Sequence, residues 1–117
     1  MSGAISYHSG LAAEESVARK YENSGHEIAA RRWRSKAGEI DLIARKDGNV
    51  VFIEVKKSRS IARAAQMLSQ RQIERIYTTA AIYLDGEPAG QDSEARFDVA
   101  LVDGQGRIDI LENAICA

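Results

Sequence analysis

The strongest constraint on the fold lies in residues 38–59, GEIDLIARKDGNVVFIEVKKSR, within a chain of 117 residues. Two runs rich in β-branched and apolar residues, 39–44 and 50–56, flank the dipeptide Asp47-Gly48. Apolar runs on either side of Asp-Gly predict a β-hairpin with a two-residue turn. A lone hairpin is barely stable in water, so the rest of the chain must cover its apolar side chains.

The register of this hairpin brings acidic residues together. Residue 46 faces residue 49, so Asp41 faces Glu54 and Glu39 faces Lys56. Because side chains alternate along a strand, these four charged residues are expected on one face. The other face is expected to be core, and its members are Ile40, Leu42, Ile53 and Val55.

Two carboxylates at this position need a partner. Facing residues have Cβ atoms about 5 Å apart, and like charges there repel each other. Mg²⁺ takes oxygen ligands and would remove the cost of burying Asp41 and Glu54 as unpaired ions. Alternatively, Lys56 alone offsets part of the repulsion, and the charges form an ordinary solvated strand face.

The metal-binding alternative predicts phosphodiester hydrolysis. A metal on Asp41 and Glu54 can polarise a phosphoryl oxygen and lower the pKa of a bound water. The compact ammonium of Lys56 would orient or help deprotonate that water, or neutralise charge on the pentavalent phosphate.

The remaining elements follow from helical spacing of apolar residues and from turn signals. Ser9 can cap a first helix that Gly25 ends, and Ser69 with Gln72 has capping-box spacing. The expected elements are helices at 10–24 and from 69 to about 84, and strands at 26–33, 39–44, 50–56, 96–102 and 107–111. This order predicts an α/β fold with one mixed central sheet flanked by helices. Residues 1–9 are expected to be flexible and residues 10–117 to form a single domain.

The cysteine content, the length of apolar runs and the N-terminal sequence indicate the cellular compartment. A single cysteine, Cys116, cannot form an internal disulfide and suits a reducing compartment. No apolar run approaches the roughly 18 residues of a membrane span, and the start MSGAISYHSG lacks a secretory signal. A cytoplasmic protein without a membrane partner is therefore expected.

Charge is distributed unevenly along the chain. Residues 1–76 carry 14 Lys and Arg against 9 Asp and Glu, whereas residues 77–117 carry 2 against 8. This asymmetry indicates either a polyanionic partner on one face or solvated surface charge. Residues expected to contact phosphates are Arg31, Arg32, Arg34, Lys36, Lys57, Arg59 and Arg63. Trp33 among them either stacks on an unpaired base or belongs to the core.

The acidic hairpin also carries a family resemblance. Asp41 followed by Glu54-Val-Lys56 resembles the D…(D/E)-x-K signature of the PD-(D/E)-x-K nucleases, especially the archaeal Holliday-junction resolvases. From Gly10 to about Val102 the chain is similar to the YraN-like (UPF0102) family, described as endonuclease-like. The markers are Glu14, Gly25, residues 32–34 (RWR), 38–43 (GEIDLI), 52–56 (FIEVK) and 96–99 (RFDV).

The resemblance implies a restriction-endonuclease-like α-β-β-β-α-β core and a Mg²⁺- or Mn²⁺-dependent DNA endonuclease, acting on branched DNA as a homodimer. It adds Glu14 as a further metal or water ligand beside Asp41 and Glu54, unless Glu14 is an ordinary first-turn helix acid. Gln72 stands where the family often has lysine, and either touches a phosphate or metal-bound water or only caps its helix.

Several alternatives remain open on sequence alone. Glu39 either pairs with Lys56 or acts as an outer ligand, and Asp98 reads as structural rather than catalytic. A non-catalytic nucleic-acid-binding module that retains the nuclease fold is the main alternative function. A further alternative is an interaction protein whose acidic residues are ordinary surface charges.

Overall fold

A computed structural model describes residues 2–58 and 68–114 and shows the predicted order of elements. The elements are α1 (Ser2–Asn23), β1 (Glu27–Ser35), β2 (Gly38–Lys46), β3 (Asn49–Lys57), α2 (Gln70–Leu84), a 3₁₀ turn (Gly90–Asp92), β4 (Ala95–Val102) and β5 (Ile108–Leu111). The predicted cap at Ser9 is wrong, because α1 begins at Ser2 and no proline interrupts residues 2–9. The division into a flexible segment 1–9 and a domain 10–117 stays a prediction.

The five strands form one mixed sheet in the order β1-β2-β3-β4-β5. β3 and β4 are parallel and are connected through α2, whereas the other neighbouring pairs are antiparallel. A parallel pair requires a crossover connection, and α2 supplies it. The α/β class with an α-β-β-β-α-β core is therefore confirmed.

Each helix covers one face of the sheet. On the α1 face, Val17, Ala18 and Tyr21 pack against strand residues that include Leu42 and Ile53. On the α2 face, the buried strand residues Ile40, Ile43, Val50 and Phe52 pack against Ala80 and Leu84. Ile40 therefore lies on the opposite side from Leu42, Ile53 and Val55, which corrects the expectation that the four share one face.

A backbone irregularity explains this difference. Ile40 and Ile43 are three residues apart and lie on the same face, so the alternation of β2 is interrupted at Asp41. The register Arg31↔Leu42 and Trp33↔Ile40 puts Arg32 across from Asp41, and Arg32 has a left-handed φ of +49°. A distortion at this pair of positions breaks the period-2 pattern on which the prediction depended.

The predicted hairpin turn is present. Asp47 and Gly48 have φ values of +53° and +82°, as a two-residue type I′ turn requires. Pairing runs from Lys46↔Asn49 to Leu42↔Ile53, which is the predicted register.

Gly38 allows α2 to approach the start of β2, and its substitution tests that contact. A Cβ atom at Gly38 would lie 3.0 Å from Thr79 Oγ1, which is buried. We expect Gly38→Ala to lower the free energy of unfolding in urea by about 1–3 kcal/mol. In a Thr79→Ala background the same change should cost less, because the contacted hydroxyl is gone. Equal costs in both backgrounds would contradict this explanation.

Three residues named above are not covered by the structure. Arg59, Arg63 and Cys116 lie outside the described residues. Within the parts that the structure covers, neither helix combines the length and apolarity that a membrane crossing requires.

Candidate active site

The two hairpin acids lie where the pairing of β2 with β3 ends. The ladder stops at Leu42↔Ile53, and side chains take over the hydrogen bonds at the next position. Asp41 Oδ2 accepts a hydrogen bond from the Val55 N–H at 2.8 Å, and Glu54 Oε1 accepts one from the Asp41 N–H at 3.4 Å. The main chain therefore fixes both carboxyl groups close together, as the register predicted.

Both carboxyl groups resist ionisation in this environment. Glu54 is 5% exposed, and its burial together with the negative charge of Asp41 raises its pKa to about 8. Burial also raises the pKa of Asp41, while the hydrogen bond from Val55 acts in the opposite direction. Without a cation, the pair therefore binds a proton more tightly than free carboxyl groups do.

Lys56 is the basic residue of the predicted triad and lies close to this pair. Its positive charge lowers the pKa of both Asp41 and Glu54. No carboxylate in the described ranges lies within 4.0 Å of its ammonium, so its charge does not fully compensate either acid.

The residues present fit a Mg²⁺-type ion. Two main-chain-anchored carboxylates, one of them almost completely buried, lack a full counter-charge. No group of three or more Asp, Glu, His or Cys side chains positioned to share a metal occurs in residues 2–58 and 68–114. Mg²⁺ is commonly held by only one or two carboxylates, with waters and substrate phosphates completing its shell.

Glu14 approaches this site from α1 but is held by Arg32. Arg32 Nε donates to Glu14 Oε1 at 2.9 Å, and Nη2 donates to Oε2 at 3.3 Å. The charge of Glu14 contributes to the raised pKa of Asp41, so the two acids are near each other. The metal role assigned to Glu14 stays a prediction, since its carboxylate is paired here with an arginine.

The described arginines among those predicted to contact phosphates form ion pairs within the protein. Arg31 lies 3.3 Å from Glu15, and Arg34 lies 3.4 Å from Glu39. Glu39 therefore pairs with a β1 arginine, and of its two alternative roles, the ion pair with Lys56 is not formed. Lys36 and Lys57 are the other described residues predicted to contact phosphates, and both are exposed.

A cleft of about 290 Å³ opens beside Glu54 on the α2 face. We call it the Glu54 cleft, and its lining residues are Gly38, Glu39, Glu54, Ser69, Arg71, Gln72, Arg75 and Ile76. A larger cavity, about 620 Å³, lies around Asp47 at the turn end of the hairpin and contains neither acid of the pair. We place the site at the Glu54 cleft, because Glu54 lines it and accepts a hydrogen bond from the main-chain N–H of Asp41.

Gln72 lies at the start of α2, where its capping role can be checked, and its role toward a phosphate or metal-bound water stays a prediction. Its main-chain N–H donates to Ser69 Oγ at 3.2 Å, so the helix cap is confirmed. Its side chain also lines the Glu54 cleft. Sequence reasoning missed the two neighbours Arg71 and Arg75, although their spacing of four residues after a capping serine puts them on one helix face.

Trp33 and Asp98 are structural. Trp33 packs edge-to-face on Tyr83 at a ring separation of 5.3 Å, on the α2 face of the core. Asp98 is fully buried and accepts a hydrogen bond of 2.7 Å from the Tyr21 hydroxyl. Both outcomes agree with the core and structural alternatives.

Comparison with known proteins identifies the family. Residues 13–102 match the sequence pattern of the Uncharacterised protein family UPF0102. A UPF0102 protein of Cereibacter sphaeroides strain KD131 is 61% identical over 117 residues, covering 100% of both chains. A UPF0102 protein of Ruegeria pomeroyi is 54% identical over 112 residues, covering 96% of this chain and 91% of its own. One of Roseobacter denitrificans is 52% identical over 113 residues, covering 97% and 88%. This chain therefore belongs to the UPF0102 family.

Proposed function

We propose that this protein is a metal-dependent DNA endonuclease. The observation that carries the proposal is the pairing of Asp41 and Glu54, whose carboxyl groups the main chain holds together at the end of the β2–β3 ladder. Burying two acids next to each other costs stability unless a counter-charge or a bound metal compensates them. A divalent cation bound between them, as in phosphoryl-transfer enzymes, would offset this cost and explain the arrangement.

Each residue of the triad has a distinct task in this proposal. Mg²⁺ or Mn²⁺ held by Asp41 and Glu54 would supply Lewis acidity toward a phosphoryl oxygen. The Val55 N–H fixes the orientation of Asp41, so the carboxylate needs little rearrangement when it binds a cation. Lys56 places a positive charge where negative charge develops on the phosphate, and its amine can exchange a proton with the attacking water.

DNA is the substrate class that the surroundings favour. The first 76 residues carry the excess of basic charge, and Lys36 and Lys57 are exposed near the open end of the acidic hairpin, away from its turn. A charged surface of this sign attracts a phosphate backbone without regard to sequence. Symmetric cutting of a four-way junction needs two active sites, so a homodimer forms part of the branched-DNA proposal.

The test is cleavage of labelled four-way junction, flap, single-stranded and duplex DNA in Mn²⁺, Mg²⁺ or EDTA. Wild type should cut at least one of these substrates with either metal and none in EDTA. An Asp41→Asn variant purified in parallel is expected to lose at least 10³-fold in rate, as a metal-ligand carboxylate should. This variant also excludes a contaminating nuclease, because such an activity would persist in it.

The main competing function is a non-catalytic nucleic-acid-binding module. Wild type that binds these DNAs but cuts none of them with either metal would favour that function over the nuclease. A protein that neither binds nor cuts DNA would exclude both.

A further inference from the structure

The arginines of this protein divide into two classes. Nine arginine side chains are described, and six of them lie within 4.0 Å of a carboxylate. Those six are Arg31, Arg32, Arg34, Arg45, Arg96 and Arg107. In the described part of the chain, no carboxylate lies within that distance of the other three, which are Arg19, Arg71 and Arg75.

Two of these three arginines share one location. Arg71 and Arg75 are exposed and both line the Glu54 cleft. They are four residues apart on α2, so they project from the same side of the helix and repel each other. An acidic side chain is present nearby, because the cleft also contains Glu39, but its carboxylate is paired with Arg34.

An arginine pair of this kind suits a phosphate. The planar guanidinium donates two parallel hydrogen bonds to phosphate oxygens, and two such groups relieve their mutual repulsion by sharing an anion. Gln72 lies in the same cleft and brings no charge. The positive charge that α2 offers to a ligand beside Glu54 therefore comes from positions 71 and 75.

Within residues 2–58, the arginines predicted from sequence are less suited to this task. Arg32 is held by two hydrogen bonds to Glu14, and Arg31 is paired with Glu15. Binding a phosphate through either residue requires an existing ion pair to break. Arg71 and Arg75 need no such exchange.

We propose that Arg71 and Arg75 bind a backbone phosphate of the nucleic acid and thereby position the strand over Asp41 and Glu54. The inference rests on the proposed function for the identity of its ligand, a nucleic-acid phosphodiester. Both arginines are positioning residues, since they act on the strand and not on the reacting bond.

The test measures binding of fluorescent four-way junction and duplex DNA in EDTA as a function of salt concentration. Arg71→Ala and Arg75→Ala should each weaken binding about 5–20-fold near 0.1 M salt, and should each reduce the slope of log K against log salt by about one. The matched control is Arg19→Ala, which removes an equally exposed and unpaired arginine from α1 on the opposite face of the sheet. This control should retain the wild-type slope.

The outcomes separate this inference from the nuclease proposal. If the double variant Arg71→Ala/Arg75→Ala binds with the wild-type slope, the inference is overturned, even when wild type cuts DNA. If the double variant loses slope but wild type cuts nothing, the phosphate site stands and the nuclease proposal fails. Equal losses in Arg19→Ala and the double variant would also overturn it, because the effect would then reflect net charge alone. Absence of DNA binding by wild type would overturn it as well.

Discussion

Glu54→Gln is expected to abolish metal-dependent cleavage and, in the absence of metal at pH 8, to make the protein more stable than wild type. Glutamine keeps the shape of the side chain and an oxygen that accepts the hydrogen bond from the Asp41 N–H. It removes the negative charge that a divalent cation needs. We expect a loss in cleavage rate of at least about 10³-fold.

The gain in stability follows from the raised pKa of Glu54. Burial and the charge of Asp41 raise this pKa to about 8, above its ordinary value of 4.5. Between these values the folded protein holds a proton that the unfolded chain releases, so stability is full below pH 4.5 and is lost as the pH rises through 8. The loss amounts to on the order of 5 kcal/mol. Glutamine has no proton to lose and avoids it.

Thermal unfolding in EDTA at pH 5 and pH 8.5 measures this difference. The midpoint of Glu54→Gln should exceed that of wild type by about 20 °C at pH 8.5, and by much less at pH 5. Adding Mn²⁺ should reverse the order, because cation binding to the folded state stabilises only the protein with an intact site. Mn²⁺ raising both midpoints equally would contradict the assignment of Glu54 as a metal ligand.

A matched substitution tests whether burial is responsible. Glu74 lies exposed on α2, and Glu74→Gln removes the same charge from a solvated position. Its effect on stability should stay within about 0.5 kcal/mol at either pH. A pH-dependent gain in this control as large as that in Glu54→Gln would point to net charge instead of the buried pair.

The parts of this structure that were predictable from sequence are those with local signals. Asp47-Gly48 determined the turn, and the turn determined the register that brings Asp41 and Glu54 together. Ser69 marked the start of α2 through its hydrogen bond to the Gln72 N–H. In each case, residues within a few positions of one another carry the physical cause.

The parts that were not predictable depend on contacts between distant elements. The ion pair between Glu14 and Arg32 joins residues 18 positions apart, and only the packing of α1 on the sheet determines it. Ile40 lies on the α2 face beside a left-handed backbone conformation at Arg32, and arginine does not signal such a conformation in a sequence. Whether Arg71 and Arg75 have acidic partners depends on the three-dimensional positions of the other side chains, and among the described residues no carboxylate lies within 4.0 Å of either.

Asp98→Ala is expected to destabilise the protein by about 3–5 kcal/mol, as loss of one partner from a buried charged network usually does. Asp98 is fully buried on β4, and three separate parts of the chain donate hydrogen bonds to it. The donors are the Tyr21 hydroxyl at 2.7 Å, Arg96 Nε at 3.1 Å and the Asn113 N–H at 2.9 Å. The carboxylate thus joins α1 and the segment after β5 to the centre of the sheet.

Graded substitutions and urea denaturation separate this network from a general effect of charge. Tyr21→Phe removes one donor and should cost about 1–2 kcal/mol, because a hydrogen bond to a charged acceptor is lost. Asp109 lies exposed on neighbouring β5, and Asp109→Ala should stay within about 0.5 kcal/mol of wild type. Below its unfolding transition, Asp98→Ala should cut DNA at the wild-type rate, since Asp98 holds the fold and does not touch the substrate. A loss of cleavage in folded Asp98→Ala, or a cost as small as that of Asp109→Ala, would contradict this structural role.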